Sequence, residues 1–389
     1  MQRVVIVGGG AIGSAVACWL TADPAFAGEV VVVERDPTYR EASSALSASS
    51  IRQQFSTPVN IEIGRFGIDF LRAIGETLAV GDERPDIGLN EAGYLYLASP
   101  SGLETLQANH EVQRRHGADV ALLSPEGLAE RFPWVSVEGL AGGSLGLSGE
   151  GWFDGYGLLR AVRKKAIAQG ARCLTAEAVG LDAAAGRIAA VRLADGTRLA
   201  CDTVVNAAGP WAARVAAMAG IELPVRARAR SVFVLACPEP LPGCPLLIDP
   251  SGFWLRPEGR HFIAGAPPRP GDDHDDLPLE PDHGLFEEVI WPALAARVPA
   301  FERLKVVGAW AGYYEMNTFD HNGIVGPHPE IANLYLANGF SGHGIQQAPA
   351  VGRGLAELIV HGRYRTLDLS PLGFERLVAG RPLLERNVI

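Results

Sequence analysis

The 389-residue chain has 48% hydrophobic and 20% charged residues, a composition typical of a folded globular protein that argues against intrinsic disorder. Its length exceeds what one hydrophobic core usually supports, so we expect two domains. The net charge of −10, with no run of lysines and arginines, argues against nucleic acid and anionic membrane surfaces as partners.

The five cysteines are scattered along the chain and form no C-x-x-C pair, so neither a disulfide framework nor a zinc site is expected. No stretch approaches the roughly 20 consecutive apolar residues that cross a bilayer. We therefore expect a cytoplasmic protein with reduced thiols, no bound metal and no membrane span. The sequence leaves open whether it forms a homo-oligomer.

The first predicted element is a buried parallel strand, an apolar run over residues 4–7. A glycine-rich turn and a helical run over residues 15–20 follow, and a second apolar strand over residues 30–33 ends in Glu34. Strand, glycines, helix, strand and acid appear in the order of a dinucleotide-binding unit. The residues of the G-x-G-x-x-G turn are Gly8, Gly10, Ala11, Ile12 and Gly13.

Each part of this unit has a physical role in binding a dinucleotide. Gly8 permits the tight turn, Gly10 lets the backbone approach a pyrophosphate, and Gly13 lets the helix pack on the strand. The pyrophosphate would lie at the helix N-terminus. Glu34, followed by Arg35, can accept hydrogen bonds from the adenosine ribose. The motif alone does not choose between NAD and FAD.

The segment that follows is built of small residues and does not continue a nucleotide-binding sheet. Residues 41–50 read EASSALSASS and have no strand pattern, whereas apolar residues recur at helical spacing from Phe66 to Ile74. So many small side chains soon after the acid indicate a backbone pressed against a flat group.

The sequence pattern in the middle of the chain predicts a helix, a strand, a hairpin and a further buried strand. Asp195-Gly196 is a strong signal for the turn of the hairpin. We interpret this part as a β-meander inserted before the chain returns to the nucleotide-binding domain. The predicted elements are a helix over residues 157–170, a strand over 172–181, the hairpin strands 188–193 and 198–201, and a strand from 203.

From residue 225 to about residue 312 the pattern becomes that of a second, antiparallel domain. The acidic run over residues 272–276 suggests a metal site, but a solvated loop is the better interpretation. Pro292 is expected to kink the helix predicted over residues 286–297. Strands are predicted over residues 231–236, 252–256, 261–265 and 305–313.

Three separated motifs, GGGAIGSAVACWL, VVNAAGPWA and GFSGHGIQQAP, occur in that order. Together they resemble the D-amino-acid oxidase superfamily of FAD enzymes, which includes glycine oxidase, sarcosine oxidase and dimethylglycine dehydrogenase. The segments SSALSASSIRQQFS, GEGWFD and AWAGYYEMNTFDHNGIVGP are similar to the FAD-dependent oxidoreductase-domain proteins. One branch of that group assists assembly of mitochondrial respiratory complex I.

The resemblance implies an α/β fold with non-covalently bound FAD. A discontinuous Rossmann-like FAD-binding domain with an inserted β-meander would comprise residues 1–85, 145–222 and 318–389. A mostly antiparallel β substrate domain with helices would comprise residues 86–144 and 223–317.

The resemblance also assigns residues to the cofactor. The glycine-rich mouth of the late helix would face the flavin pyrimidine ring, where N–H groups can stabilise the negative charge that grows on reduction. The N–H groups concerned are those near Gly342, His343, Gly344 and Ile345. Ser44 and Ser47 would line the pyrophosphate and flavin, the Val179 backbone would meet adenine, and Ala208 and Gly209 would lie beside the cofactor.

On the substrate side, Arg52 falls where sarcosine oxidase has an arginine that binds the substrate carboxylate, a task suited to a bidentate guanidinium. Two positions depart from that relative. Gln346 stands where sarcosine oxidase has a lysine as its second ligand for the substrate carboxylate, and Ile263 stands where sarcosine oxidase has the lysine that activates oxygen. The remaining residues expected to shape the pocket are Tyr313, Tyr314 and Arg230.

The expected activity is oxidation of the C–N bond of an amine or N-substituted amino acid, by hydride transfer to flavin N5, giving an imine that hydrolyses. Without the lysine, a dehydrogenase is favoured over an oxidase, and the electron acceptor stays open. Two alternatives also stay open: a flavoprotein assembly or scaffold factor with little catalysis, and an FAD oxidoreductase acting on hydroxy acids.

Overall fold

The computed structural model describes residues 2–386. In chain order the strands are β1 (Gln2–Val7), β2 (Gly28–Glu34), β3 (Ser50–Ile51), β4 (Tyr94–Ala98), β5 (Val120–Leu123), β6 (Gly142–Gly146), β7 (Gly151–Trp152), β8 (Arg172–Thr175), β9 (Ala178–Ala184), β10 (Arg187–Leu193), β11 (Arg198–Ala200), β12 (Thr203–Asn206), β13 (Val225–Ala236), β14 (Leu246–Ile248), β15 (Trp254–Glu258), β16 (His261–Gly265), β17 (Lys305–Asn317), β18 (Ile324–Pro327) and β19 (Leu334–Asn338).

The helices are α1 (Ala11–Ala22), α2 (Ser43–Leu46), α3 (Pro58–Arg72), α4 (Ile74–Thr77), α5 (Leu103–Arg115), α6 (Pro125–Arg131), α7 (Gly155–Ala168), α8 (Ala212–Ala217), α9 (His283–Leu285), α10 (Trp291–Arg297), α11 (Gly344–His361) and α12 (Glu375–Val378). A π-helical turn, Phe286–Ile290, joins α9 to α10.

A six-stranded sheet in the order β18-β19-β12-β1-β2-β8 holds both strands of the glycine motif. Its pairs are parallel except β18 with β19. Val4 and Ile6 of β1 enter one core with α1, α3, α7 and α11, whereas Val5 and Val7 enter another with the meander and α8. Because both faces are covered, the strand is apolar at every central position.

The meander β9-β10-β11 forms its own three-stranded antiparallel sheet. The prediction of a single strand over residues 172–181 is wrong, because these residues form two strands that belong to different sheets. β8 ends at Thr175 in the six-stranded sheet, and β9 begins at Ala178 in the meander. Between them, Ala176 N–H donates to the Glu34 carbonyl and Glu177 accepts from Ala194 N–H, so the chain crosses from one sheet to the other.

A second large sheet has eight strands in the order β17-β13-β16-β15-β14-β4-β6-β5 and is antiparallel except between β14 and β4. One face carries Phe233, Leu255 and Phe262 into a core with α6 and α10. Since side chains alternate along a strand, the intervening residues point toward the other face. The predicted mixed α/β class is confirmed, and the domain boundaries stay a prediction.

Two local expectations have different outcomes. The helical hydrogen-bond pattern changes from π to α at Trp291, directly before Pro292, where the sequence predicts a kink.

The acidic run over residues 272–276 is not a freely solvated loop, because Asp273 pairs with Arg230 across 2.7 Å and Asp275 with Arg228 across 2.6 Å. Within residues 2–386, no group of three or more His, Cys, Asp or Glu side chains is arranged to hold a metal ion.

Candidate active site

Two adjoining cavities lie between the sheets and enclose about 1180 and 1400 Å³ of atom-free space, counted with their open mouths. The first, which we call the nucleotide cleft, is lined by the glycine motif, Glu34 and residues 207–211. The second, the inner cavity, is lined by Arg52 and the start of α11. The two share Ile12, Ser43, Ser44 and Glu315 in their walls, so an elongated ligand can occupy both.

The glycine motif has the geometry that a dinucleotide requires. Gly8 has φ +102°, and a Cβ there would lie 2.3 Å from the Ala207 carbonyl oxygen. A Cβ on Gly13 would lie 1.9 Å from the Gly8 oxygen, so Gly13 allows α1 to pack closely and does not line the cleft. At Gly10 a Cβ would meet only Ser44 Oγ at 3.3 Å, which leaves the backbone open toward the ligand.

The acidic residue at the end of β2 is held in place by backbone N–H groups. Glu34 accepts from Gly9 N–H at 2.8 Å and from Asp36 N–H at 2.9 Å, and its carboxylate borders the cleft. The guanidinium of Arg35 lies 3.8 Å from the centre of the Trp211 ring, so Arg35 forms part of the wall.

The other predicted cofactor residues divide into two groups. Ala11, Ile12, Ser44, Ala208 and Gly209 line the nucleotide cleft, and Ser47 lines the inner cavity. Ser44 Oγ also accepts from Ala11 N–H at 3.0 Å. Val179 lines neither cavity as the structure describes them, and this residue is 47% exposed. The adjacent backbone at residues 176–178 borders the cleft instead.

The glycine-rich mouth of α11 borders the inner cavity with residues 341–346. Gly342 has φ +93°, and a Cβ there would lie 2.4 Å from the Tyr314 ring, so this position requires glycine even without a ligand. At the first helical position, a Cβ on Gly344 would approach Glu315 Oε1 to 3.2 Å. The first N–H groups of α11 have no partner within the helix and can face an electron-rich ligand.

Arg52 and His343 form a buried pair at this mouth. Arg52 Nη2 lies 2.8 Å from His343 Nε2. Burial, and secondarily the Arg52 charge, hold the pKa of His343 well below its usual value, so the imidazole is neutral. The Arg52 guanidinium also packs 4.5 Å from the Phe55 ring centre, with Tyr94 and Tyr96 at 5.7 and 5.6 Å.

The remaining candidate substrate residues all line the inner cavity, but they differ in the hydrogen bonds that they already make within the protein. Gln346 Oε1 accepts from the Arg52 backbone N–H at 2.8 Å, and the Tyr313 hydroxyl donates to the Leu277 carbonyl at 2.7 Å. The Arg230 guanidinium donates to both Asp273 oxygens, at 2.7 and 3.2 Å, and lies 5.2 Å from the Tyr314 ring centre.

Sequence reasoning did not identify Glu315, which is 8% exposed and borders both cavities. Its Oε2 accepts from Gly339 N–H at 3.1 Å, but burial outweighs that bond and raises the pKa of the carboxyl to about 8. A carboxylate within the otherwise uncharged AWAGYYEMN run is the signal that points to it.

Arg256 is a second residue that the sequence did not single out. It lies directly opposite Ile263 in the pairing of β15 with β16, and it donates from Nη2 to the Ala48 carbonyl at 2.6 Å. Arg256 therefore fixes the small-residue loop that borders the inner cavity, without lining that cavity itself.

The family model for FAD dependent oxidoreductases (DAO) matches residues 3–358. The chain belongs to this family. It is 46% identical to FAD-dependent oxidoreductase domain-containing protein 1 of Xenopus laevis over 99% of this chain and 84% of the relative. It is 28% identical to glycine oxidase of Geobacillus kaustophilus over 96% of both chains. The crystal structure of L-proline dehydrogenase from P. horikoshii matches with a TM-score of 0.86 and 26% identity, over 98% of this chain and 99% of that one.

As a member of the FAD dependent oxidoreductase family, the protein is a flavoprotein whose cofactor is FAD. The residues present fit that group, since the open backbone at Gly10 and the Glu34 carboxylate suit its adenosine diphosphate part. The inner cavity adjoins the cleft where the flavin ring would follow. None of the helices described between residues 2 and 386 is both long and apolar enough to cross a membrane.

Proposed function

We propose that the protein oxidises the C–N bond of an amine or N-substituted amino acid whose carboxylate is bound by Arg52. The observation that supports this proposal is an unpaired buried cation. Arg52 is 4% exposed and lines the inner cavity, yet no carboxylate within residues 2–386 lies within ion-pair distance of it. Its Nε atom is also without a hydrogen-bond partner. A buried charge is costly unless it is paired, so the site is suited to an anionic ligand.

The two other arginines near the cavity differ from Arg52 in this respect. Arg230 is paired with Asp273, and Arg256 with Glu258. Each of these two arginines has a carboxylate in ion-pair contact, whereas the carboxylates whose charges act on Arg52, those of Glu150 and Glu385, lie beyond ion-pair distance. This contrast favours Arg52 over Arg230 as the residue that binds a substrate carboxylate.

The walls of the inner cavity favour an amino acid with an apolar substituent. Tyr94, Ile248, Trp254 and Tyr314 contribute apolar surface to these walls. Glycine oxidase and L-proline dehydrogenase, two proteins to which the chain is similar, are named for amino acid substrates. An N-alkyl or cyclic amino acid combines the carboxylate and apolar parts that this cavity can accommodate.

In this proposal the protein chiefly orients the substrate. FAD, when bound, supplies the acceptor for the hydride that leaves the α-carbon while the amine lone pair forms the C=N bond. Arg52 fixes the carboxylate, and Gln346 holds the backbone of Arg52. Neutral His343 accepts from Arg52 and does not need to act as a base if the amine enters unprotonated.

Anaerobic mixing of the holoprotein with single compounds tests this proposal through bleaching of the flavin absorbance. N-methyl and cyclic amino acids should bleach the flavin, whereas the corresponding amines without a carboxylate should require much higher concentrations. Faster bleaching by hydroxy acids would contradict the proposal, and a lack of bleaching by every compound would favour a scaffold role.

Two arginine variants identify the carboxylate ligand. Loss of one partner of a buried charge pair costs about 2–5 kcal/mol. Arg52→Met should therefore raise the half-saturating concentration of a carboxylate substrate at least about 30-fold. Arg230→Met, which removes a guanidinium already paired with Asp273, should raise it less. The opposite ranking would assign the carboxylate to Arg230.

A further inference from the structure

Glu315 occupies the junction of the nucleotide cleft and the inner cavity and belongs to both walls. It lies on β17, where Ala227 of β13 is its paired neighbour. Oε2 accepts from Gly339 N–H. Oε1 lies close to Gly344, the first residue of α11, where an added Cβ would be 3.2 Å from it. The carboxyl group therefore lies beneath the helix mouth that adjoins the flavin part of the cofactor site.

No cation compensates Glu315. Within residues 2–386 it makes no ion pair, and its recorded hydrogen-bond partners are backbone N–H groups of the 339–340 segment. The charged residues that border the nucleotide cleft with it are Glu34, Arg35, Asp36, Glu41, Glu177 and Arg214. The titratable groups that border the inner cavity with it are Arg52, Arg230, neutral His343 and the phenols of Tyr94, Tyr313 and Tyr314. Arg230 is paired with the Asp273 carboxylate, whereas Arg52 donates a hydrogen bond to the neutral His343 ring.

Burial therefore disfavours the ionised form of Glu315. Once ionised, the carboxylate would repel a second negative charge placed nearby. Burial raises the pKa of the carboxyl to about 8, so the group is protonated at neutral pH and ionised in more alkaline solution. Reduction of FAD by two electrons with uptake of one proton places a negative charge on the flavin. Because that charge repels a neighbouring carboxylate, reduction must favour the protonated form of Glu315, and the coupling is reciprocal.

We propose that Glu315 takes up one proton when the bound FAD is reduced in alkaline solution. The complete step consumes two electrons and two protons, one proton on the flavin and one that converts the Glu315 carboxylate to the acid. This inference depends on FAD binding and not on the amine substrate, since any two-electron reductant drives the step.

The pH dependence of the FAD reduction potential measures the proton count. Near neutral pH Glu315 is protonated in both redox states and the reduced flavin is anionic, so one proton accompanies two electrons. Above the pKa of Glu315 in the oxidised holoprotein, the slope of potential against pH should double as the second proton is taken up. The measurement uses dithionite or an enzymatic reductant with a reference dye, from about pH 6 to about pH 10.

Glu315→Gln keeps the shape of the side chain and removes its titration, so its slope should stay at one proton per two electrons throughout. Glu150→Gln is the matched control. Glu150 is also buried and has a pKa raised to about 7, but it accepts from the backbone N–H groups of Gln53 and Gln54 and borders neither cavity, and the cavity residue that its charge reaches is Arg52. The control should retain the wild-type curve. Equal slopes in the wild-type protein and Glu315→Gln would overturn the proposal.

A second measurement uses the wild-type holoprotein alone and applies even if Glu315→Gln fails to retain FAD. Reduction in weakly buffered solution with a pH-indicator dye should show uptake of two protons per flavin at about pH 9 and of one at about pH 7, once the protons released by oxidation of the reductant are subtracted. A count of one proton at both values would refute the proposal. Because the reductant is chemical, this result is independent of whether an amine is the physiological substrate.

Discussion

Arg52 and His343, which are 291 positions apart in the chain, meet through a 2.8 Å contact between Nη2 and Nε2. A guanidinium has only donors, so the His343 Nε2 atom must accept, and the imidazole proton must lie on Nδ1. The contact joins the segment after β3 to the start of α11, and it orients the one unpaired buried cation identified above toward the inner cavity.

This contact predicts the response of His343 to loss of Arg52. The Arg52 charge is the second largest cause of the lowered His343 pKa, after burial. Arg52→Met should therefore raise the pKa of His343, but leave it below the usual histidine value because burial remains. NMR titration of the imidazole measures this, with Arg230→Met as a control that leaves the value unchanged. An unaltered His343 pKa in Arg52→Met would show that the two side chains do not interact in solution.

Removal of the Glu34 carboxylate should weaken FAD binding. Glu34 accepts from Gly9 N–H and borders the nucleotide cleft, so Glu34→Ala removes an acceptor from the motif and from the place where we predict the adenosine ribose. Loss of a charged hydrogen bond costs about 1.5–3 kcal/mol, or roughly 10- to 150-fold in affinity. Titration of apoprotein with FAD checks this. Glu29→Ala on the same strand, where Glu29 pairs with Arg3 and Arg172 outside the cleft, should bind FAD normally.

The sequence predicts those parts of the fold and site that depend on local chemistry. The G-x-G-x-x-G turn, the apolar strands and the Asp195-Gly196 hairpin are each specified within a few residues, and the structure has them where expected. The crossing from β8 to β9, the pairing of Asp273 with Arg230 and the position of Glu315 depend on which distant segments pack together. No local pattern encodes contacts between distant segments: the lone carboxylate in the AWAGYYEMN run marks Glu315 as unusual, but the run does not specify which cavities that carboxylate borders.

Apoprotein stability should fall with rising pH because of Glu315. Burial raises the folded-state pKa of its carboxyl to about 8, above the usual value for glutamate, so the native state binds this proton more tightly than the unfolded state. The resulting stability is fully present below the unfolded pKa and is lost as the pH rises toward about 8, by at most about 5 kcal/mol. Urea unfolding of Glu315→Gln should depend less on pH over this range. If the free energies of unfolding of the wild-type protein and Glu315→Gln changed equally with pH, this role of Glu315 would be contradicted.

FAD should be bound non-covalently. None of the five cysteines lines either cavity, and burial raises the pKa of Cys244 to about 12, which keeps it a poorly nucleophilic thiol. Acid precipitation of the holoprotein should therefore leave a yellow supernatant and a colourless pellet. Flavin absorbance retained in the washed pellet would mean that a side chain, such as His343 in the inner cavity, is attached to the cofactor.

The choice between oxidase and dehydrogenase depends on positive charge beside the flavin. The first electron passed to oxygen creates superoxide, an anion, so a cation near the flavin lowers this barrier. Two unit charges 4 Å apart attract by about 4 kcal/mol at an effective dielectric near 20, and half that energy is roughly 30-fold in rate. Ile263 stands where the resemblance to sarcosine oxidase places a lysine, and it shares the cavity-facing side of its sheet with Trp254.

We therefore predict a dehydrogenase whose reduced flavin reacts slowly with oxygen. The cation nearest in register to Ile263 is Arg256, but its charge is paired with Glu258 and the Ala48 carbonyl holds its guanidinium. Stopped-flow mixing of reduced holoprotein with oxygen should give slow reoxidation, whereas an artificial acceptor dye should reoxidise it quickly. Ile263→Lys should accelerate the oxygen reaction by about 30-fold or more, and Ile263→Met should not. If wild-type protein is reoxidised by oxygen as fast as by the dye, it is an oxidase, and Arg52 at the mouth of α11 becomes the cation to test.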